Sequence, residues 1–130
     1  MDLWQRRAVL DPVPNPDRNI DFVSSLSGRL SAFGGTVDVA LRYVPDALTV
    51  SPGAFAAYLR ALEGGDWPSH ENLSTTILQD VSNELVPRWV QVVTRQEKTG
   101  AASEHKVLVE DRQPQWNNAA LLAHLHSLSL

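Results

Sequence analysis

The spacing of apolar residues changes twice along this chain. Ile20, Phe22, Leu26 and Leu30 fall at even spacing, which suits a strand with one face on a core. Gly34 and Gly35 supply a turn, and residues 36–43 mix β-branched, apolar and charged side chains as a second strand hairpinned to the first. The period then lengthens. Ser51 before Pro52 is an N-cap followed by proline at the first helical position, and Phe55, Leu59 and Leu62 define one buried face of a helix ending near Leu62, ahead of Gly64 and Gly65. Ser69 caps a second helix, in which Leu73, Ile77, Val81 and Leu85 recur every four residues until Pro87. Beyond it Trp89, Val90, Val92 and Val93 predict a third strand and residues 106–110 a fourth, with polar residues 98–104 as an open loop. Leu121, Leu122, Leu125 and Leu128 predict a short C-terminal helix over residues 117–128.

The order is ββααββ and the fold class α+β. Pro12, Pro14 and Pro16 stand at alternate positions, which forbids helix there, and residues 1–18 read as an extended arm ahead of one domain at 19–130. With 130 residues the chain has the length of one domain, and 43% apolar with 20% charged residues is ordinary for a globular core. A formal charge of −4 argues against nucleic acid as partner, because the only adjacent basic pair, Arg6 and Arg7, falls in the arm. No apolar run is long enough to span a bilayer, and the N-terminus lacks the apolar core of a secretion signal, so the expectation is a cytoplasmic protein without membrane partners. The absence of cysteine removes disulfides, thiolate metal sites and thiol nucleophiles together.

The strings PNPDRN (14–19), RYVPDALTV (42–50), FAAYLRALEGG (55–65), SHENLSTTILQDV (69–81) and LVPRWVQV (85–92) follow one another in an order and at a spacing that resemble the 7-cyano-7-deazaguanine nitrile reductase, or QueF, family. The resemblance covers roughly residues 14–93. It implies a tunnelling fold (T-fold): an antiparallel ββααββ sheet with two helices on one face, joined with other subunits into an oligomeric β-barrel whose ligand sites lie between chains. A four-stranded sheet has two open edges, and barrel closure removes them.

The chain departs from that family at three places. The family's nucleophilic cysteine has its counterpart near Gly28, within SLSGRLSAFGG, where serines and glycines stand; a hydroxyl such as that of Ser27 or Ser31 ionises far less readily than a thiol. The family's proton-shuttling aspartate maps to the Phe33-Gly34-Gly35 zone, so that Asp38, further into the second strand, is the nearest carboxylate and a candidate relocated acid. The cofactor motif at the start of the first helix is replaced by Ser51-Pro52-Gly53-Ala54, without the lysine and carboxylate that would meet a nicotinamide cofactor. The expected cofactor is therefore none, and metal ligands are likewise not expected.

What the resemblance retains is His70-Glu71 at the start of the second helix. By resemblance Glu71 binds the N–H and amine edge of a purine-like ring, although a first-turn glutamate also complements the helix dipole. His70 is a candidate acid or base, or a histidine beside a cap. Trp67 offers a stacking face to a flat heterocycle, or packs at an interface. His124 and His126, two apart, lie on different faces of a helix and do not share a metal, and His105 opens the fourth strand with no visible partner.

The reading is a cofactor-independent T-fold enzyme with substrate-binding Glu71 and Trp67 and catalytic His70 and Asp38. It would act on a small planar purine-, pterin- or deazaguanine-like molecule in a homo-oligomer, by a non-redox proton transfer such as cyclisation, hydration or rearrangement. Two alternatives stand beside it: a ligand-binding or scaffolding homologue without catalysis, and a queuosine-pathway reductase-type activity by an altered mechanism.

Overall fold

A computed structural model describes residues 1–98 and 103–128. In chain order the elements are α1 (Leu3–Ala8), β1 (Val13–Pro14), β2 (Ser24–Ala32), β3 (Gly35–Val44), β4 (Leu48–Thr49), α2 (Pro52–Leu62), α3 (His70–Leu85), β5 (Trp89–Lys98), β6 (Ser103–Arg112), α4 (Ala119–Leu122) and a 3-10 helix, Leu125–Leu128. The main sheet has the order β2-β3-β5-β6 and is antiparallel throughout. Among the described residues no helix is long and apolar enough to cross a membrane.

One face of this sheet carries the core. Along β3 the residues Val37, Val39, Leu41 and Tyr43 are buried while Asp38, Ala40 and Arg42 between them are only partly covered, the alternation expected when a strand has helices on one side. The buried row continues through Leu30 on β2 and Val90 and Val92 on β5. Against it lie Phe55, Tyr58, Leu59 and Leu62 of α2 and Leu73, Ile77, Val81 and Leu85 of α3. Both helices begin at the expected caps: the Ser51 hydroxyl accepts from the Ala54 N–H, and the Ser69 hydroxyl from the Asn72 N–H. Helix α2 comes close to β2, since a Cβ placed on Gly28 would lie 2.7 Å from Leu59 Cδ1.

The opposite face carries charge. Arg29 on β2 pairs with Asp38 on β3 (2.8 Å), Asp38 with Arg95 on β5 (3.5 Å), and Arg95 with Glu104 on β6 (3.1 Å), which also holds Lys106 (3.1 Å). A depression of about 380 Å³ opens on this side between Ser27, Arg29, Asp38, Ala40, Val93 and Arg95.

The open loop expected over residues 98–104 does not hold at its ends, since Lys98 closes β5 and Ser103 opens β6, with residues 99–102 outside the described residues, and three further expectations change. Strand β2 starts at Ser24, because Asp21 is taken into a polar cluster: its carboxylate accepts from Arg88 (2.8 Å), Trp116 (3.0 Å) and Asn118 (3.1 Å). The C-terminal helix is broken into α4, capped by Asn118, and the short 3-10 segment. The third change concerns the N-terminus. Residues 13–14 are extended and pair with β4, as the prolines require, but the preceding residues form α1 through a capping box between Asp2 and Gln5. Leu10 is fully buried in the core, so the first 18 residues are a docked part of the domain, not an arm.

Helix α1 is held by a buried carboxylate. Asp80 on α3 has no exposed surface; it receives two hydrogen bonds from Arg6 (2.7 and 2.9 Å), one from Arg7 (2.8 Å) and one from the Tyr58 hydroxyl (2.5 Å). Burial by itself would raise the Asp80 pKa, but the bonds from Arg6, Arg7 and Tyr58 outweigh it and hold the carboxyl below the usual carboxylate range. Burial and the adjacent Asp80 push the Tyr58 phenol up. Asp80→Asn leaves two half-sequestered guanidinium groups without their counter-charge, and the expected loss is about 3–5 kcal/mol in urea unfolding at neutral pH. Because the native pKa is depressed, the wild-type contribution is complete above about pH 4 and disappears as pH falls through the lower native value. A loss under about 1 kcal/mol in the variant would show that docking of α1 does not rest on this charge.

Candidate functional site

The first turn of α3, the ends of β5 and β6 and the β2–β3 turn meet at one corner of the sheet, and the chemistry-bearing side chains of the chain collect there. His70 and Glu71 occupy the first turn of α3 because Ser69 fixes where the helix starts. His70 is 5% exposed and packs inward, while the Glu71 side chain is 63% exposed. From β6, His105 reaches the same place: its ring centroid is 4.4 Å from that of His70, and its Nε2 lies 3.3 Å from a Glu71 carboxylate oxygen.

Behind His70, Nε2 lies 2.7 Å from the Thr94 hydroxyl of β5, and Thr94 lies 2.5 Å from the Ser74 hydroxyl of α3. Ser74 donates in turn to the His70 carbonyl at 2.9 Å. The other ring nitrogen, Nδ1, is buried and has no hydrogen-bond partner among the described residues. Burial first, and then the neighbouring His105, lowers the His70 pKa; Glu71 opposes them without winning. Glu71 is held below the usual carboxylate range, chiefly by its hydrogen bond from backbone N–H, with His105 adding to it.

The aromatic side of the site is built by the hairpin turn. Ala32 pairs with Gly35, leaving Phe33 and Gly34 as a two-residue loop, and both have positive φ (55° and 72°). That is the backbone of a type I′ turn, whose twist matches the flanking strands but which normally uses Asn or Gly at the first position. Phe33 is a bulky residue in a left-handed conformation, and its ring is stacked near His70 at 5.8 Å. Trp67 stands across a groove of about 230 Å³ lined by Ala32, Phe33, Gly65, Asp66 and Trp67 itself. Its indole N–H donates to the Leu62 carbonyl (3.0 Å), and Gly65 is needed beneath it, since a Cβ there would meet the ring at 2.8 Å.

Of the residues singled out in the sequence, His70, Glu71 and the Trp67 groove thus fall at one corner, joined through Phe33. Asp38 does not join them. It alternates with core-facing Val37 and Val39 and therefore points to the opposite side of the sheet, where Arg29 and Arg95 hold it. His105 and Phe33 were missed. His105 is 34 positions from Glu71, and only the β5–β6 register brings it there; Phe33 read as the residue before a glycine turn. Among the described residues no group of three His, Asp or Glu side chains is placed to hold a metal ion.

Solved structures share the fold of this chain. One similar structure is that of the archaeosine synthase QueF-Like in the apo form, with a TM-score of 0.53 and 17% identity over 70% of this chain and 90% of that one. The chain has a QueF-like fold. No protein-family model matches the sequence, and no curated protein matches it significantly. At this identity the likeness concerns the fold alone.

Within the QueF-like fold, the departures noted in the sequence take on physical form. Gly28, where the resemblance puts the counterpart of a nucleophilic cysteine, faces α2 and has no room for a side chain beside Leu59. The matching strings PNPDRN, RYVPDALTV and LVPRWVQV meet away from the His70 corner. There Arg88 bonds to Asp21 (2.8 Å), Asp46 (3.2 Å) and the Arg18 carbonyl (2.8 Å), and Arg18 and Gln113 both donate to Asp46.

The strain at Phe33 is testable. Phe33→Gly removes a left-handed backbone cost of about 1 kcal/mol and also uncovers His70. The thermal midpoint is expected to hold or rise, while the His70 titration followed by NMR moves up towards the ordinary histidine value as burial declines. A lower midpoint with unchanged His70 titration would mean that the ring is only packing.

Proposed function

We propose that this T-fold protein binds a small planar heterocycle, purine-, pterin- or deazaguanine-like, against Phe33, Trp67 and Glu71, and performs a non-redox proton transfer on it with His70 and His105. The observation that carries this reading is the His70–His105–Glu71 cluster, in which a buried imidazole keeps one nitrogen without a partner beside an ionised carboxylate and aromatic walls. Unpartnered buried polar atoms are rare and cluster where a ligand completes the bonding. Glu71, ionised and exposed, has the two acceptor oxygens needed for the N–H and amine edge of such a ring. Two histidines in ring contact allow one to accept and the other to donate a proton. Cyclisation, hydration and rearrangement all include such proton transfers beside the bonds they make or break within the substrate or with water.

The reductase chemistry of the resembling family is not part of the proposal. Thioimide formation needs a thiol, and the sequence has none. Asp38 enters no step, since its place is in the ion-pair ladder on the other face. The site belongs to an oligomer in this reading: β2 and β6 are the edges of the sheet, and pairing with further copies would cover them and wall the exposed side of Glu71.

Two outcomes are expected. In calorimetric titration with a panel of aminopurines, pterins and deazaguanines, at least one binds, and Glu71→Gln weakens it by roughly 10- to 150-fold, because a donor then faces a donor. The thermal midpoint of Glu71→Gln stays near wild type. A sharply lowered midpoint with unaltered affinity would make Glu71 a helix-start residue only, and binding without turnover would leave a binding protein. In light scattering at micromolar concentration the particle is a multiple of 14.3 kDa; a 14.3 kDa monomer would remove the interfacial part of the proposal.

A further inference from the structure

The hydroxyls behind His70 constrain which of its ring nitrogens carries the proton. Three contacts link His70 Nε2 to Thr94 Oγ1 (2.7 Å), Thr94 Oγ1 to Ser74 Oγ (2.5 Å), and Ser74 Oγ to the His70 carbonyl (2.9 Å). A carbonyl only accepts, so the Ser74 proton belongs to the last contact. Ser74 must then accept from Thr94, whose proton is thereby used, and Thr94 must accept from His70. Each contact receives one proton only when Nε2 carries one. In the reverse arrangement two protons would serve three contacts, and two oxygens 2.9 Å apart would face each other with no hydrogen between them.

We propose that Ser74 and Thr94 are positioning residues that lock His70 as its Nε2–H tautomer and leave the buried, unpartnered Nδ1 as a fixed proton acceptor. The chain of hydroxyls ends on a backbone carbonyl, so it carries no proton away. A proton taken at Nδ1 therefore has to leave by another route, and the titratable groups beside the ring are His105 and Glu71. Protonation of Nδ1 without a ligand would bury an N–H with no acceptor, which agrees with the lowered His70 pKa. Among the described residues, the charged or titratable groups around His70 are Glu71 on its own helix and His105 on β6; from β5 and the hairpin turn it meets neutral Thr94 and Phe33. Resting on the proposed function, this restricts the ligand group that meets His70 to an N–H or O–H donor. It also explains why two small hydroxyl residues are buried at this point: Thr94 follows Val90 and Val92 along β5, and Ser74 lies between Leu73 and Ile77 on α3.

The test needs no ligand, so its failure is separable from failure of the functional reading. The full-length protein, labelled with nitrogen-15 in histidine, is examined by NMR above the His70 midpoint. The expected spectrum shows a single His70 tautomer, with an unprotonated Nδ1 and a directly observed Nε2–H proton protected from solvent. Ser74→Ala frees the Thr94 proton to turn towards Nε2, and a population of the Nδ1–H form is expected to appear. Thr94→Val removes the acceptor altogether, and the protected Nε2–H signal should be lost, while Thr94→Ser restores it. A wild-type His70 protonated at Nδ1, an averaged mixture of tautomers, or a folded Ser74→Ala protein with the wild-type tautomer would each overturn the proposal. The wild-type spectrum decides it even if a variant does not fold.

Discussion

A four-stranded sheet with two helices can bury only one of its faces, and nearly every other feature of this protein answers to that limit. Because α2 and α3 cover one side, each strand must alternate apolar and polar residues, and Val37, Val39, Leu41 and Tyr43 do so against Asp38, Ala40 and Arg42. The uncovered side is then stabilised by charge, Arg29, Asp38, Arg95 and Glu104 neutralising one another in a row across the strands. The same limit separates Asp38 from the candidate site. A one-residue step along a strand turns a side chain to the other face, so its nearness in sequence to the hairpin turn carries no nearness to His70.

Two polar clusters bind the remaining segments to this frame, and they differ in kind. Asp80 is sealed off from solvent and neutralised by Arg6, Arg7 and Tyr58, which ties α1 to α2 and α3. Arg88, with Asp21, Asp46, Arg18 and Gln113, joins loops at another edge, where the Asp21 and Asp46 side chains are 24% and 27% exposed. A buried pair that loses one partner is far more costly than a surface pair, so α1 depends more sharply on Asp80 than the loops depend on any single bond around Arg88.

The candidate site lies where regular structure is interrupted: a helix start, a strained two-residue turn and the ends of two strands. A helix start exposes backbone N–H groups that hold Glu71 ionised, and the turn holds Phe33 in a conformation a side chain of that size rarely adopts. The strands add Thr94 and His105. Each contribution is modest, and the combination keeps a buried imidazole neutral, oriented and short of one partner.

The sequence by itself determined the local elements. Their signals lie within a few residues: the four-residue spacing from Leu73 to Leu85 and the Ser51-Pro52 and Ser69 caps specify structure without long-range help, and the glycine pair marks the hairpin although its two-residue loop falls at Phe33-Gly34. It also placed His70 and Glu71 at a helix start. The docking of α1 was hidden because Arg6 and Asp80 are 74 positions apart, although the Asp2–Gln5 capping box was there to be read. His105 joined Glu71 only through the register of β5 with β6, and Asp38 left the site through the pleat of β3. Periodicity and caps are properties of neighbours along the chain, whereas register, facing and burial are properties of neighbours in space, and the tertiary structure alone decided those.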